Sequence, residues 1–282
     1  MENKLSFLPA SACTIALYLV FLIQSHVSVS VLNAAFYSIK WEHDLNLYSD
    51  VCEDNFLKMI LEGGNRILSK PVNKKEPITP DILRRIFGKF CSNTLKDLRL
   101  CSLMIIGYAG FLRFDELSHI QANHLKFYHT HLEITLERSK TDIYRQGNVV
   151  IIAKTGTDLC PVTILKRHLQ KADISLCSED FIFRSLVFHK LNNNYTLSKQ
   201  NKSISYTRAR EIVLNALQEF GLDKTKFGLH SLRSGGVTSA ASNSVPDRLL
   251  KAHGRWKSEK AKDGYIKESV TNKLFVTQHL GL

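Results

Sequence analysis

Apolar positions recur at helical spacing through the first seventy residues. They predict a helix over 11–24 and a second over 28–45, with Val31, Leu32, Ala35, Phe36, Ile39 and Trp41 as its inward stripe. A third is predicted over 54–69, with Phe56, Leu57, Ile60, Leu61 and Ile67 inward. The apolar run ACTIALYLVFLI (12–23) is too short to span a bilayer and continues into Gln24, Ser25 and His26. Pro9, Ala10 and Ser11 before it read as a helix start rather than the end of a basic leader, so the run is expected to be a buried amphipathic helix and not a membrane anchor. PVNKKEP (71–77) then breaks the pattern. Two prolines bar helix continuation and the charges between them keep the segment solvated, which predicts a linker between a helical domain (1–70) and a second domain (78–282).

After the linker, Thr79 is a natural N-cap with Pro80 at the first helical position of an amphipathic DILRRIFGKF. A more apolar helix follows over 96–109 and stops near Gly110; another begins around Phe114. The period then changes from 3.6 to 2. LKFY (125–128), HLEITLE (131–137) and NVVIIAK (148–154) read as strands, the last two joined by SKTDIYRQG. Pro161 opens a helix to about Lys171, and the polar stretch 189–203 is expected to be a mobile loop. Further helices are predicted from Ser205, His230, Pro246 and Ser258, the last carrying Tyr265. The fold class is therefore mainly α with a small antiparallel β-sheet (α+β).

Charge narrows the function. The 282 residues hold 38 Lys and Arg against 26 Asp and Glu, a formal net charge of +12, which suits a polyanionic partner because neutralised phosphates release condensed counterions. The 6 cysteines are scattered without a Cys-x-x-Cys pair, which argues against a disulfide framework or zinc site and for buried free thiols. His129 and His131 lack the companions of a metal site, so neither a structural metal nor a cofactor is expected.

Breaking a phosphodiester by covalent catalysis needs an oxygen nucleophile, cations on the non-bridging oxygens, and an acid for the departing oxygen. Four segments offer these groups. GYAGFLRFDEL puts Arg113 after a glycine and at a helix start, with Glu116 one turn on to orient it. SKTD puts Lys140 at a hairpin tip, from which an ammonium could reach into a groove. GLHSLRSGG sets His230 and Arg233 on one face of a first helical turn. HGRWKSEKAKDGYIKE carries Trp256 and, nine positions later, Tyr265. Each is weak alone, since a hairpin lysine is usually surface and a helix tyrosine usually core. Their order and spacing carry the force.

Residues 78–270 resemble the catalytic domain of the tyrosine recombinase (phage-integrase) family, whose signature runs Arg, hairpin Lys, His-x-x-Arg, His or Trp, then Tyr. GFLRFDEL matches the first arginine box, SKTD the lysine hairpin, HSLRSGG the second box, and GRW followed by GYI the third box and its tyrosine. The helical N-terminus is similar to the family's core-binding domain, which clamps DNA opposite the catalytic domain. It is one helix short of the usual count, as in a truncated gene product or a shortened clamp. The resemblance implies Tyr265 as nucleophile, forming a 3′-phosphotyrosyl bond and freeing a 5′-hydroxyl, with Arg113 and Arg233 on the non-bridging oxygens. It further implies Lys140 as acid to the leaving oxygen, His230 in proton transfer at Tyr265, and the Trp256 indole N–H on the phosphate. A phenol ionises only near pH 10, so it needs such help.

His253, Arg255 and Lys257 are expected as DNA-backbone contacts beside Trp256. The implied function is a site-specific recombinase or integrase acting on double-stranded DNA, as a homotetramer packed through the C-terminal tail (271–282). Two alternatives stay open: a type IB topoisomerase-like enzyme, and a catalytically silent DNA-binding protein derived from a mobile element. The N-terminal half looks more like eukaryotic, transposon-associated members, which implies the nucleus; a bacterial host would imply the cytoplasm and nucleoid.

Overall fold

The computed structural model describes residues 8–71, 73–91, 94–137, 147–268 and 270–281. The chain divides into two compact units, Met1–Asn73 and Lys74–Leu282.

The first unit is helical: α1 (Ala12–Gln24), α2 (Val29–Leu45) and α3 (Asn55–Leu68). Ser11, Ser28 and Asp54 cap them, each side chain accepting from a backbone N–H in the first turn, as short polar residues do at a helix start. Ile15, Leu19, Leu32, Phe36, Leu57 and Leu61 close the core. The inward stripes are narrower than the sequence suggests, because Val31, Trp41, Phe56 and Ile67 are exposed at 48%, 61%, 56% and 70%. At about 100° per residue, Trp41 stands roughly 140° around α2 from Phe36, off the seam that three helices share.

The second unit is built on α5 (Leu95–Ala109), buried almost all round, as its lack of a polar face requires. Before it comes α4 (Pro80–Phe90), capped by Thr79, whose Oγ1 accepts from Ile82 N at 3.3 Å. After it come the short α6 (Phe114–Ser118) and the antiparallel sheet β1 (Leu125–Phe127), β2 (His131–Leu136) and β3 (Asn148–Ala153), in that spatial order. Leu132, Ile134 and Leu136 of β2 pair with Ile152, Val150 and Asn148, and the Leu132–Ile152 and Ile134–Val150 pairs face the core while Val149 and Ile151 face outward. Residues 138–146 of the β2–β3 connection, with Lys140, lie outside the described residues.

Helix α7 (Pro161–Lys171) packs along α5. The stretch expected to be a loop instead holds a β-hairpin, β4 (Leu186–His189) paired with β5 (Asn194–Leu197). Its tip is three asparagines, with Asn193 in the left-handed region at φ 45°, and that polar turn masks the β-forming residues on either side. Helices α8 (Tyr206–Gln218), α9 (His230–Ser242), α10 (Asp247–Gly254), α11 (Glu259–Asp263) and α12 (Val270–Gln278) complete the unit. Helix α9 can lie close to its neighbours only because of Gly235 and Gly236. A Cβ there would stand 2.1 Å from the Ile78 carbonyl oxygen and 2.2 Å from that of Tyr108.

The division between units falls within the stretch expected as a linker, but residues 74–78 belong to the second unit. Glu76 N donates to Lys226 O at 2.7 Å and Ile78 N to Ser231 O at 2.9 Å, so this part is bonded to the turn before α9 and to the first turn of α9 rather than solvated. All six cysteines are free; Cys52, Cys101 and Cys160 are buried, whereas Cys13 and Cys177 are exposed. Among the described residues no helix is long and apolar enough to cross a membrane, and no cluster of His, Cys, Asp or Glu could hold a metal ion.

Candidate active site

The chain turns sharply after α5, with Phe111 at φ 45° and Arg113 as the N-cap of α6. An arginine cannot cap by accepting, so Glu116 does the work from inside the helix. One carboxylate oxygen accepts from Arg113 N at 2.9 Å and the other from the Arg113 guanidinium at 2.8 Å. Glu116 is 3% exposed. Arg255 donates to the same carboxylate at 3.0 Å, and Arg233 stands 3.9 Å from it. Burial, the largest single influence on this carboxyl, would raise its pKa. Arg255, the N–H and side chain of Arg113, and Arg233 together outweigh burial and hold it below the usual glutamate range.

Arg233 has no accessible surface. Its guanidinium donates to Phe111 O and, at 2.6 Å, to Gly254 O. Above it lie two aromatic rings, with the guanidinium carbon 4.3 Å from the centroid of Trp256 and 5.1 Å from that of Tyr265. Burial first, then the neighbouring Arg113, pushes its pKa down to about 10, against the opposing pull of Glu116; the group stays charged at neutral pH. Trp256 is buried, and its indole N–H has no hydrogen-bond partner among the described residues. A Cβ on Gly254 would fall 1.8 Å from the Trp256 ring, so this glycine makes room for the indole.

Tyr265 lies in the turn after α11, not within a helix as expected. Helix α11 ends at Asp263 with Gly264 as its C-cap, and Tyr265 N closes the turn on Lys262 O at 2.9 Å. Its ring centroid is 5.5 Å from Trp256 and 6.5 Å from His230, the exposed first residue of α9. A pocket of about 340 Å³ beside it is lined by Tyr265, His230, Ser234 and three lysines, Lys74, Lys75 and Lys267.

Five of the six residues singled out from the sequence thus converge from separate segments: Arg113, His230, Arg233, Trp256 and Tyr265. The sixth, Lys140, lies outside the described residues. Glu116 sits where it can orient Arg113, and does so with both oxygens. Two of the expected DNA-backbone contacts point elsewhere. Arg255 ends α10 in the left-handed region at φ 57°, which turns its side chain inward to Glu116, Gly110 O and Phe111 O. His253 meets Ala109 O at 2.8 Å and stacks edge-on to Phe111 at 4.7 Å, and burial depresses its pKa. Only Lys257 of the three is exposed. Sequence reasoning also missed Phe111 and Gly254, whose backbone carbonyls hold Arg233; the one available signal was the Gly that precedes each of the two tight turns.

No protein-family profile matches the chain. A curated integrase/recombinase xerD homolog of Selenomonas ruminantium is 31% identical over 195 residues, 69% of this chain and 54% of that protein, so the match spans about half the relative's length. This relative is bacterial and lends no support to the eukaryotic affinity expected from the N-terminal half. Among solved structures, the Tn1549 transposon integrase in complex with transposon right-end DNA aligns with 99% of this chain and 88% of its own, at TM-score 0.63 and 12% identity. The XerH site-specific recombinase bound to its palindromic difH substrate aligns with 96% and 70%, at TM-score 0.61 and 12% identity. A lambda integrase dimer bound to a core site aligns with 93% and 65%, at TM-score 0.54 and 16% identity. At such identities the likeness speaks for the fold, while the sequence match and the ordered boxes speak for descent: the chain belongs to the tyrosine recombinase family.

Proposed function

We propose that the chain is a site-specific DNA strand transferase that breaks and rejoins duplex DNA through a 3′-phosphotyrosyl intermediate. The observation that carries this reading is the gathering of five groups: Arg113 and Arg233 at the buried Glu116 carboxylate, Trp256 and Tyr265 over Arg233, and His230 beside Tyr265. The Tyr265 phenol oxygen attacks the scissile phosphorus, the bond to the 5′-oxygen breaks, and a proton from Lys140 leaves with that oxygen as the 5′-hydroxyl. His230 takes up the phenolic proton. Arg113 and Arg233 hold the non-bridging oxygens and Trp256 donates its unpartnered indole N–H to one of them. The phosphotyrosyl ester conserves the bond energy, so a 5′-hydroxyl reverses the step without ATP.

The Trp256 and Tyr265 rings cover Arg233, so in the proposed reaction the Tyr265 ring moves aside as Arg233 takes up a phosphate. The helical N-terminal unit (1–70) is assigned to clamping DNA and residues 78–282 to catalysis. The tail contributes to a tetramer through α12, whose Leu274, Phe275 and Val276 are exposed. The enzyme acts wherever the DNA of its host lies.

The test is a nicked suicide duplex from which the cleaved fragment diffuses away, trapping covalent protein–DNA adduct. The adduct should form with the unmodified chain and vanish in Tyr265→Phe with DNA affinity retained. Duplex binding without adduct in the unmodified chain would assign the silent DNA-binding reading instead. Relaxation of a supercoiled plasmid lacking any specific site would assign the topoisomerase-like one.

A further inference from the structure

The nucleophile turn is held by groups that the reaction itself does not use. Thr238 lies on α9, five residues beyond Arg233, and its hydroxyl serves both sides of Tyr265. It donates to Tyr265 O at 3.5 Å and accepts from Lys267 N at 3.1 Å. From the opposite direction comes the segment that begins the second unit. Lys74 Nζ donates to Gly264 O at 3.1 Å, and Glu76 forms an ion pair with Lys267. The same segment is bonded through Glu76 N and Ile78 N to Lys226 O and Ser231 O, at the start of the helix that carries His230 and Arg233. Residues 264–267 are therefore fastened on two sides to the elements that carry the proposed cationic groups; Tyr265 and Ile266 pack inward against Phe111, Val237, Leu250 and Trp256, while Gly264 and Lys267 at the ends of the turn are exposed.

We infer that Thr238 and the Glu76–Lys267 pair are positioning residues that fix the backbone of Tyr265 relative to His230 and Arg233. The inference rests on the proposed strand-transfer reading. Attack on phosphorus demands a narrow approach, and a misplacement of about 1 Å can cost on the order of 100-fold in rate. A single turn whose ends are tied by a hydroxyl, a lysine on a backbone carbonyl and one ion pair is a place where such a shift can arise without loss of fold. The pair is half exposed, and such pairs add little to stability, so its effect should appear in rate rather than in folding.

The experiment measures single-turnover adduct formation at saturating DNA. It uses the full chain and a nicked duplex selected by that chain from a random-sequence pool. Thr238→Val, which keeps the shape and removes the hydroxyl, should slow the adduct step about 10-fold while leaving duplex affinity within about twofold. Thr238→Ser, which keeps the hydroxyl, should restore the rate. Glu76→Gln should slow the step about threefold, and the charge exchange Glu76→Lys with Lys267→Glu should recover it. Thr238→Val at the unmodified rate, or Thr238→Ser as slow as Thr238→Val, overturns the inference. If Thr238→Val fails to fold, the Glu76 and Lys267 variants decide: recovery by exchange supports the inference, and no recovery or no initial loss overturns it. Absence of any adduct from the unmodified chain overturns the proposed function and the inference with it.

Discussion

Replacing Glu116 with glutamine should unfasten the site by removing the one negative charge that three guanidinium groups share. Arg113 and Arg255 donate to that carboxylate at 2.8 and 3.0 Å, and Arg233 lies 3.9 Å away with no contact with water. Glutamine keeps the volume and one acceptor oxygen but turns an N–H₂ toward at least one arginine donor. Deleting one partner of a buried ion pair typically costs about 3–5 kcal/mol, and the retained acceptor argues for the lower end, about 3 kcal/mol. For a domain of this size that lowers Tm by roughly 6–12 °C, measurable by thermal unfolding at pH 7. The pH dependence supplies an internal check. The folded carboxyl ionises below its ordinary value, so its stabilising contribution is present above the unfolded glutamate pKa of about 4.3 and is lost as pH falls through the lower folded value. The gap in Tm between the unmodified chain and Glu116→Gln should therefore be constant near neutrality and close below about pH 4. A loss of under about 2 °C at pH 7, or a gap that widens on acidification, would refute the reasoning.

Two further outcomes follow from the same chemistry. Lys140→Ala should suppress cleavage of an ordinary nicked duplex by at least about 100-fold, yet cleave one whose 5′-bridging oxygen is sulfur at close to the unmodified rate. A thiolate leaves without a proton, so equal suppression on both substrates would remove Lys140 from the acid role. Trp256→Phe should slow adduct formation about 10–100-fold, the worth of a hydrogen bond to a charged oxygen, because the lost N–H has no protein partner to release. Adduct formation at the unmodified rate would mean that the indole serves packing alone.

The residues legible in the sequence were those whose chemistry leaves little choice. Arginine, histidine and tyrosine recur in fixed order because a phosphate needs planar cations and a nucleophile, and their spacing survives even where the elements between them are misjudged. Tyr265 comes to lie beside Arg233, Trp256 and His230 although it stands in a turn and not in the expected helix. Arg255 escaped because its part depends on one backbone conformation: a left-handed residue at the end of α10 sends the side chain inward, where a helical one would send it to solvent. The carbonyls of Phe111 and Gly254 carry no side-chain signature at all, and Thr238 becomes visible only once α9 and the 264–267 turn are seen side by side. In the first unit the overestimate ran the other way. Trp41 and Ile67 extend an apolar stripe that the packing of three short helices does not reach.

The charge count at the centre gives the arrangement a direction. Three arginines around one carboxylate leave a surplus of about two positive charges, concentrated where Trp256 and Tyr265 exclude water. A phosphodiester brings one negative charge, and as the phosphorus becomes five-coordinate the non-bridging oxygens carry close to two. A surplus matched to the ground state would hold substrate and transition state alike; one matched to the larger charge favours the step itself. At Arg233 this charge is met by the faces of Trp256 and Tyr265 and by the backbone carbonyls of Phe111 and Gly254. In the proposed reaction they would give way to a phosphate, because a ring face at 5.1 Å and a carbonyl dipole offer Arg233 less than a charged oxygen does. On this reasoning the nucleophile rests on the very cation that will later steady its target. On the proposed reading, arrival of the phosphate would release the Tyr265 ring from Arg233 while the turn beneath it, bonded to Thr238, would keep the phenol within reach.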